Sequence, residues 1–189
     1  MAVTSNDIVN QALQMMGNNA PTVTGNAPTF DTSPAGKAAA LLYAPCVAYV
    51  ARQFEWDFAR TTVALTPSGN AAPAPWTQEY LYPPAAVQIW QLKPATLADP
   101  NDPLPTNWVR GNVLVTGTQT SVIWTDVASA VAIYNDNPGP NVWDPGFREA
   151  VVRLLASEFA IALAGRPDTS LVLFQTAGQV GGAARSRDS

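Results

Sequence analysis

Chemistry in this chain would have to come from carboxylates or from a lone thiol, because the sequence contains no histidine and a single cysteine, Cys46. Histidine is the usual general base and metal ligand near neutral pH, and one thiol cannot close an intramolecular disulfide. Histidine-based triads, zinc sites and internal disulfides are thereby excluded. Two carboxylates can run acid–base catalysis unaided, so each close pair is a candidate. Glu55 and Asp57 flank Trp56, Asp99 and Asp102 share a loop, and Glu149 and Glu158 occupy different parts of one helix. None converges with a second group, and each reads as a solvated or cap-forming carboxylate. Cys46 falls on the apolar side of a helix and reads as a small buried hydrophobe; as a nucleophile it would need a base that the chain lacks. Gly36-Lys37 hints at a phosphate loop, but the preceding glycine is missing and Ala38 stands where Ser or Thr is required. The residues point to no enzyme, no metal and no cofactor.

Composition agrees with a non-catalytic role. The 189 residues read as one domain, 47% of them hydrophobic, enough for a sizeable core. Ten basic and fourteen acidic side chains leave a net charge of −4, so a general attraction to phosphate backbone or anionic lipid is lacking. The first cationic side chain is Lys37, so no basic leader of a secretory signal is visible. The uncharged run Ala38 to Ala51 contains Pro45 and is too short to cross a bilayer core of about 30 Å as a helix. Six tryptophans and five tyrosines could line a sugar- or peptide-binding platform, but fit better as the filling of a sheet packed on helices.

The elements that would position these residues fall into three blocks: N-terminal helices over 4–58, a β region over 59–135, and C-terminal helices with a tail over 144–189. Thr4 with Asp7 three residues on is a capping-box pattern, and Ile8, Val9, Ala12, Leu13 and Met16 follow at helical spacing up to Gly17. Ser33-Pro34 is a favoured N-cap and first-turn pair opening a helix to about Phe54, with Ala39, Leu42, Cys46, Tyr49 and Gln53 on one side and a bend expected at Pro45. Strands are expected at Thr61–Thr66, Thr77–Tyr82, Val87–Leu92, Asn107–Arg110, Val113–Thr116, Ser121–Thr125 and Ala128–Tyr134. Gly111-Asn112 is expected to make a tight hairpin turn. Pro67–Pro75 and Lys93–Thr106 read as loops, the first mobile or a hairpin tip. Asp144-Pro145 opens a third helix carrying Phe147, Val151, Leu154, Leu155, Phe159 and Leu163. A last helix with Leu171, Val172, Leu173 and Phe174 is weakened by Gly178, Gly181 and Gly182, and Arg185–Ser189 is expected to fray or dock elsewhere. The fold class is α+β: a helical layer made by both ends of the chain, with a central, mainly antiparallel sheet of about four to six strands inserted between them.

Trp56-Asp57-Phe58-Ala59-Arg60 places two bulky rings where the second helix gives way to the first strand, suited to anchoring a helical layer to a sheet. With the opening Thr-Ser-Asn-Asp-Ile-Val-Asn-Gln-Ala-Leu, then Tyr80-Leu81-Tyr82-Pro83 and Asp144-Pro145-Gly146-Phe147, this order resembles the head-to-tail adaptor (connector) proteins of tailed bacteriophages, the tail tubular protein A type. The resemblance runs from about Thr4 to Arg187. It implies a structural virion protein, made in the host cytoplasm and located in the neck. There a homo-oligomeric ring, usually of twelve copies, docks on the portal protein and extends the DNA channel to the tail or nozzle proteins. It implies no catalytic residue; Trp56, Phe58, Tyr82 and Phe147 would be structural anchors. Phe174, Arg185 and Arg187 become the candidate portal and assembly interface, the arginines meeting an acidic portal surface. Genomic DNA would pass without specific binding, which suits a low-charge, net-negative chain. The alternative is an aromatic-lined carbohydrate- or peptide-binding module.

Overall fold

The computed structural model describes residues 2–17, 21–96, 107–115 and 117–188, with the side chains of 115 and 185–188 excepted. Its contacts divide the chain into two compact units, a helical one built from residues 1–59 and 137–189 and a β one spanning Arg60–Asp136. The boundaries fall where helical spacing gives way to alternation and where it returns. The class is α+β, as the order of patterns requires.

In the helical unit the first helix, α1, is Ser5–Gln14. Its capping box forms as expected: Thr4 accepts from the Asp7 amide and Asp7 accepts from the Thr4 amide. The apolar face, Ile8, Val9, Ala12 and Leu13, is fully buried. Two asparagines of the polar face clasp the following segment. Asn10 exchanges hydrogen bonds with the Val23 backbone, accepting at 2.8 Å and donating at 3.0 Å, while Asn6 donates to the carbonyls of Val23 and Gly25. That segment folds as a short antiparallel ribbon, β1 (Gly25–Asn26) with β2 (Thr29–Phe30).

The second helix, α2, is Pro34–Gln53, capped by the Ser33 hydroxyl on the Gly36 amide at 3.0 Å. It continues unbroken through Pro45, which is exposed. Its buried face is Ala39, Tyr43, Cys46, Val47 and Val50; Tyr49 and Gln53 lie outside, correcting the expected side by about one residue. A helix this rich in apolar residues has a weak amphipathic signal, so spacing alone does not fix which stripe faces inward.

The third helix, α3, is Pro145–Ala162, with the Asp144 carboxylate accepting from the amides of Gly146 and Phe147. It stops at Gly165, whose φ of 58° is left-handed, while the Gly165 amide reaches the Ile161 carbonyl and the Arg166 amide reaches Ala160. That pair of bonds satisfies carbonyls that a helix end leaves without partners. The fourth helix, α4, is Pro167–Asp188, running through all three glycines expected to weaken it and through the segment expected to fray. At Gly181 the missing side chain admits a close neighbour, since a Cβ there would press on the Phe54 ring, and Gly146 of α3 leaves room for Ala184; Gly178 and Gly182 have no such neighbour.

Among the described residues the β unit holds six strands: β3 (Arg60–Ala64), β4 (Gln78–Leu81), β5 (Gln88–Pro94), β6 (Trp108–Val115), β7 (Thr118–Thr125) and β8 (Ala130–Asn135). They form two antiparallel three-stranded sheets, in the orders β3-β8-β5 and β4-β7-β6. The strands of the expected central sheet are thus split between two sheets. These share a core in which Tyr80 and Ile123 meet Ile89, Leu92, Ala132 and Tyr134. Gly111-Asn112 is not a turn. β6 runs straight through it, paired with Val122 and Ser121, and the chain reverses around Gly117, at φ 81°. Gly111 is required because the Trp124 ring lies where its Cβ would stand. Pro67–Pro75 lies at the tip of a short antiparallel pairing, as expected of a hairpin tip: Pro67 bridges Tyr80, the Ser68 amide donates to the Glu79 carbonyl and the Leu81 amide to that of Thr66, although β3 and β4 themselves belong to different sheets. Its start is pinned by the buried carboxylate of Glu79, which accepts from Ser68 and Asn70 while its other oxygen accepts from the Trp124 indole at 2.7 Å.

Candidate assembly interface on the helical unit

A chain of ring contacts organises the interior of the helical unit. Phe30 meets Tyr43, Tyr43 stacks on Trp143, and Trp143 meets the edge of Phe147 at 4.9 Å between centroids. Phe147 then packs against both Trp56 at 5.1 Å and Phe58 at 5.0 Å, and Trp56 against Phe54. Edge-to-face pairs at these distances add stability beyond the area they bury. Of the expected anchors, Trp56, Phe58 and Phe147 are therefore brought together, Phe58 from a single 3-10 turn over Asp57–Ala59. Their ring contacts lie within the helical unit. Tyr82 belongs to the β unit, where it packs on the two-sheet core and carries the Arg110 guanidinium over its ring at 4.2 Å.

Glu149 is engaged by Arg153 one turn on, and Glu158 lies beside Cys46. Asp99 and Asp102 lie outside the described residues. Burial, with a smaller contribution from the Glu158 charge, pushes the Cys46 thiol up to about 12, so it stays protonated near neutral pH. No group of metal-ligating side chains occurs among the described residues, and none of the described helices is long and apolar enough to cross a membrane.

Several large apolar side chains stand open on the helical unit. On α4, Leu171 and Val172 are 58% and 60% exposed and Phe174 is 46% exposed. Leu171 and Phe174, three residues apart, share a helix face. The Phe174 ring reaches across to Tyr49 of α2, itself 47% exposed, with 6.5 Å between centroids. Beneath this contact lie two hollows floored by Leu154 of α3. One is about 140 Å³, beside Phe54 and Gly181, and the other about 310 Å³, beside Leu42 and Cys46. Of the expected interface residues, Phe174 is thus placed on an open apolar surface. Arg185 and Arg187 sit in the last turns of α4, and their side chains lie outside the described residues. Tyr49 was missed because the sequence assigned it to the buried side of α2. Its partner lies more than a hundred residues away, so no local pattern marks it.

No known family matches the chain, and no curated protein does.

Proposed function

We propose that this chain is a head-to-tail adaptor of a tailed bacteriophage. In this reading it is a structural subunit that joins copies of itself into a ring, docks on the portal and continues the DNA channel towards the tail. The observation that carries the proposal is the unfinished surface of the helical unit. Leu171 and Phe174 share one face of α4, and the Phe174 ring reaches Tyr49 of α2, leaving apolar side chains open to water in the single subunit. Apolar area left in water forgoes about 25 cal/mol for each Å² that a partner would cover. The order of segments that resembles the adaptors supports the same reading, and so does the use of Trp56, Trp143 and Phe147 as internal packing. Among the described aromatic residues, Tyr49 and Phe174 are the exposed ones, and both lie on this surface. The low, net-negative charge suits a conduit that releases DNA.

Portal rings encoded with this protein provide the test. Phe174→Ser, and a variant with Arg185 and Arg187 both changed to Glu, are expected to bind the portal at least about tenfold more weakly than the parent chain. Parental affinity in both would contradict this docking role.

A further inference from the structure

Each three-stranded sheet of the β unit has two outer strands, and an outer strand turns a row of backbone donors and acceptors away from its sheet, a template for another strand. Two of the four edges are obstructed from within the chain. Along β4 the segment Thr66–Ser68 supplies partners: the Leu81 amide donates to the Thr66 carbonyl at 2.8 Å and the Ser68 amide to the Glu79 carbonyl at 3.0 Å. β5 shifts register between Ile89 and Gln91, carries the buried Lys93 and ends in Pro94, which has no amide hydrogen to donate.

β3 and β6 have neither obstruction. Among the described residues, Thr61–Ala64 pairs only with β8, and Trp108–Val115 only with β7, in unbroken register. Both runs lack proline, and their single charge, Arg110, lies over the Tyr82 ring. An antiparallel strand turns the amide and carbonyl of one residue to the same side, and the side alternates along the chain. The Leu65 amide donates inward to the Ala130 carbonyl, so the amides of Thr62 and Ala64 face the open side of β3. The Tyr82 amide donates to the Ser121 carbonyl, which turns Val122 towards Gly111 and leaves the amides of Asn112 and Leu114 on the open side of β6. Leu114 is 77% exposed.

We propose that β6 of one copy pairs with β3 of a second copy, joining their sheets by backbone hydrogen bonds. The second copy is the occupant because the same β unit offers two bare edges on different sheets. Pairing unlike edges leaves one of each free at the ends of a row of copies, so the contact repeats until a ring closes. Pairing like edges gives a two-fold dimer and needs a separate contact to use the remaining edge. The choice of unlike edges rests on the adaptor reading, which requires a ring.

Ala64→Pro and Leu114→Pro each delete one outward amide that makes no bond within the subunit, and sedimentation of the full chain reads the result. Each variant alone is expected to self-associate at least about tenfold more weakly than the parent. Mixed together they are expected to form dimers and nothing larger, because the first retains its β6 edge and the second its β3 edge. Amide hydrogen exchange on the parent needs no substitution. Thr62, Ala64, Asn112 and Leu114 are expected to exchange at least about tenfold more slowly once copies assemble, alone or on portal rings. Parental association in both variants, an Ala64→Pro chain that still dimerises alone, or unchanged exchange at these four amides in concentrated parent with portal rings added, would overturn the pairing. A parent chain that assembles through these edges and ignores portals would leave the pairing standing and contradict only the adaptor reading.

Discussion

The indole Nε1 of Trp56 donates a hydrogen bond of 3.2 Å to the carbonyl oxygen of Val50. Val50 lies in the last turn of α2, where backbone carbonyls have no partner within the helix, so the ring that fills the core also closes the helix end. Trp56→Phe retains most of the packing but leaves that carbonyl unsatisfied, and is expected to cost about 1–3 kcal/mol. Trp56→Ala also opens a cavity against Phe54, Phe58 and Phe147, for an expected loss of about 3–5 kcal/mol. Urea unfolding followed by far-UV circular dichroism checks both; a Trp56→Phe variant as stable as the parent would show that the hydrogen bond contributes nothing, and equal losses in the two variants that the cavity adds nothing.

Gly111 and Trp124 form a second obligate pair. Because the ring occupies the space of the missing side chain, Gly111→Ala is expected to displace Trp124 and strain its 2.7 Å bond to Glu79, destabilising by about 1–3 kcal/mol. Asn112→Ala, at the neighbouring exposed position, tests the alternative directly. Were the pair a hairpin turn after all, both substitutions would disturb it; as a continuous strand, Gly111 is the sensitive one. Denaturant midpoints for the two variants decide the matter.

These residues also show what a sequence makes legible. Thr4 with Asp7, Ser33-Pro34 and Asp144-Pro145 mark helix starts correctly because a cap is made by residues within a few positions of one another. Gly111-Asn112 misleads for the converse reason: the glycine answers to a ring on another strand, and the local turn signal has no access to that ring. Gly181 of α4 misleads similarly, since its lack of a side chain admits the Phe54 ring of another element. The division of six strands into two sheets depends on pairings such as β3 with β8, about seventy residues apart, which alternation along one strand does not encode. For the interface, Phe174 was legible as an apolar residue on a late helix. Its exposure, and the Tyr49 ring beside it, follow from packing between α2, α3 and α4.

Asp31 gives the helical unit an acid-sensitive clasp. One carboxylate oxygen accepts from the amide and hydroxyl of Ser33, the residue that caps α2, and the other from the amide and hydroxyl of Thr24. The Ser33 hydroxyl, followed by the Thr24 and Ser33 amides, holds the carboxyl down to about 2. A depressed value in the folded state means that the unfolded chain takes up the proton first as pH falls. The clasp therefore contributes fully above the unfolded value of about 3.9 and is lost between there and about 2. The stability difference between the parent and Asp31→Asn is expected to be constant at neutral pH and to shrink across that window. A gap that persists to the acid end would show that Asp31 acts by packing alone.

The central claim is that this subunit completes its surface by assembling at a portal, and electron microscopy of the purified chain mixed with its portal tests that most directly. The account expects portals capped by an added ring of this protein, with the apolar face of α4 and Tyr49 covered by neighbours. Bare portals beside persistent monomers, with those monomers instead retaining a glycan on an array, would contradict it.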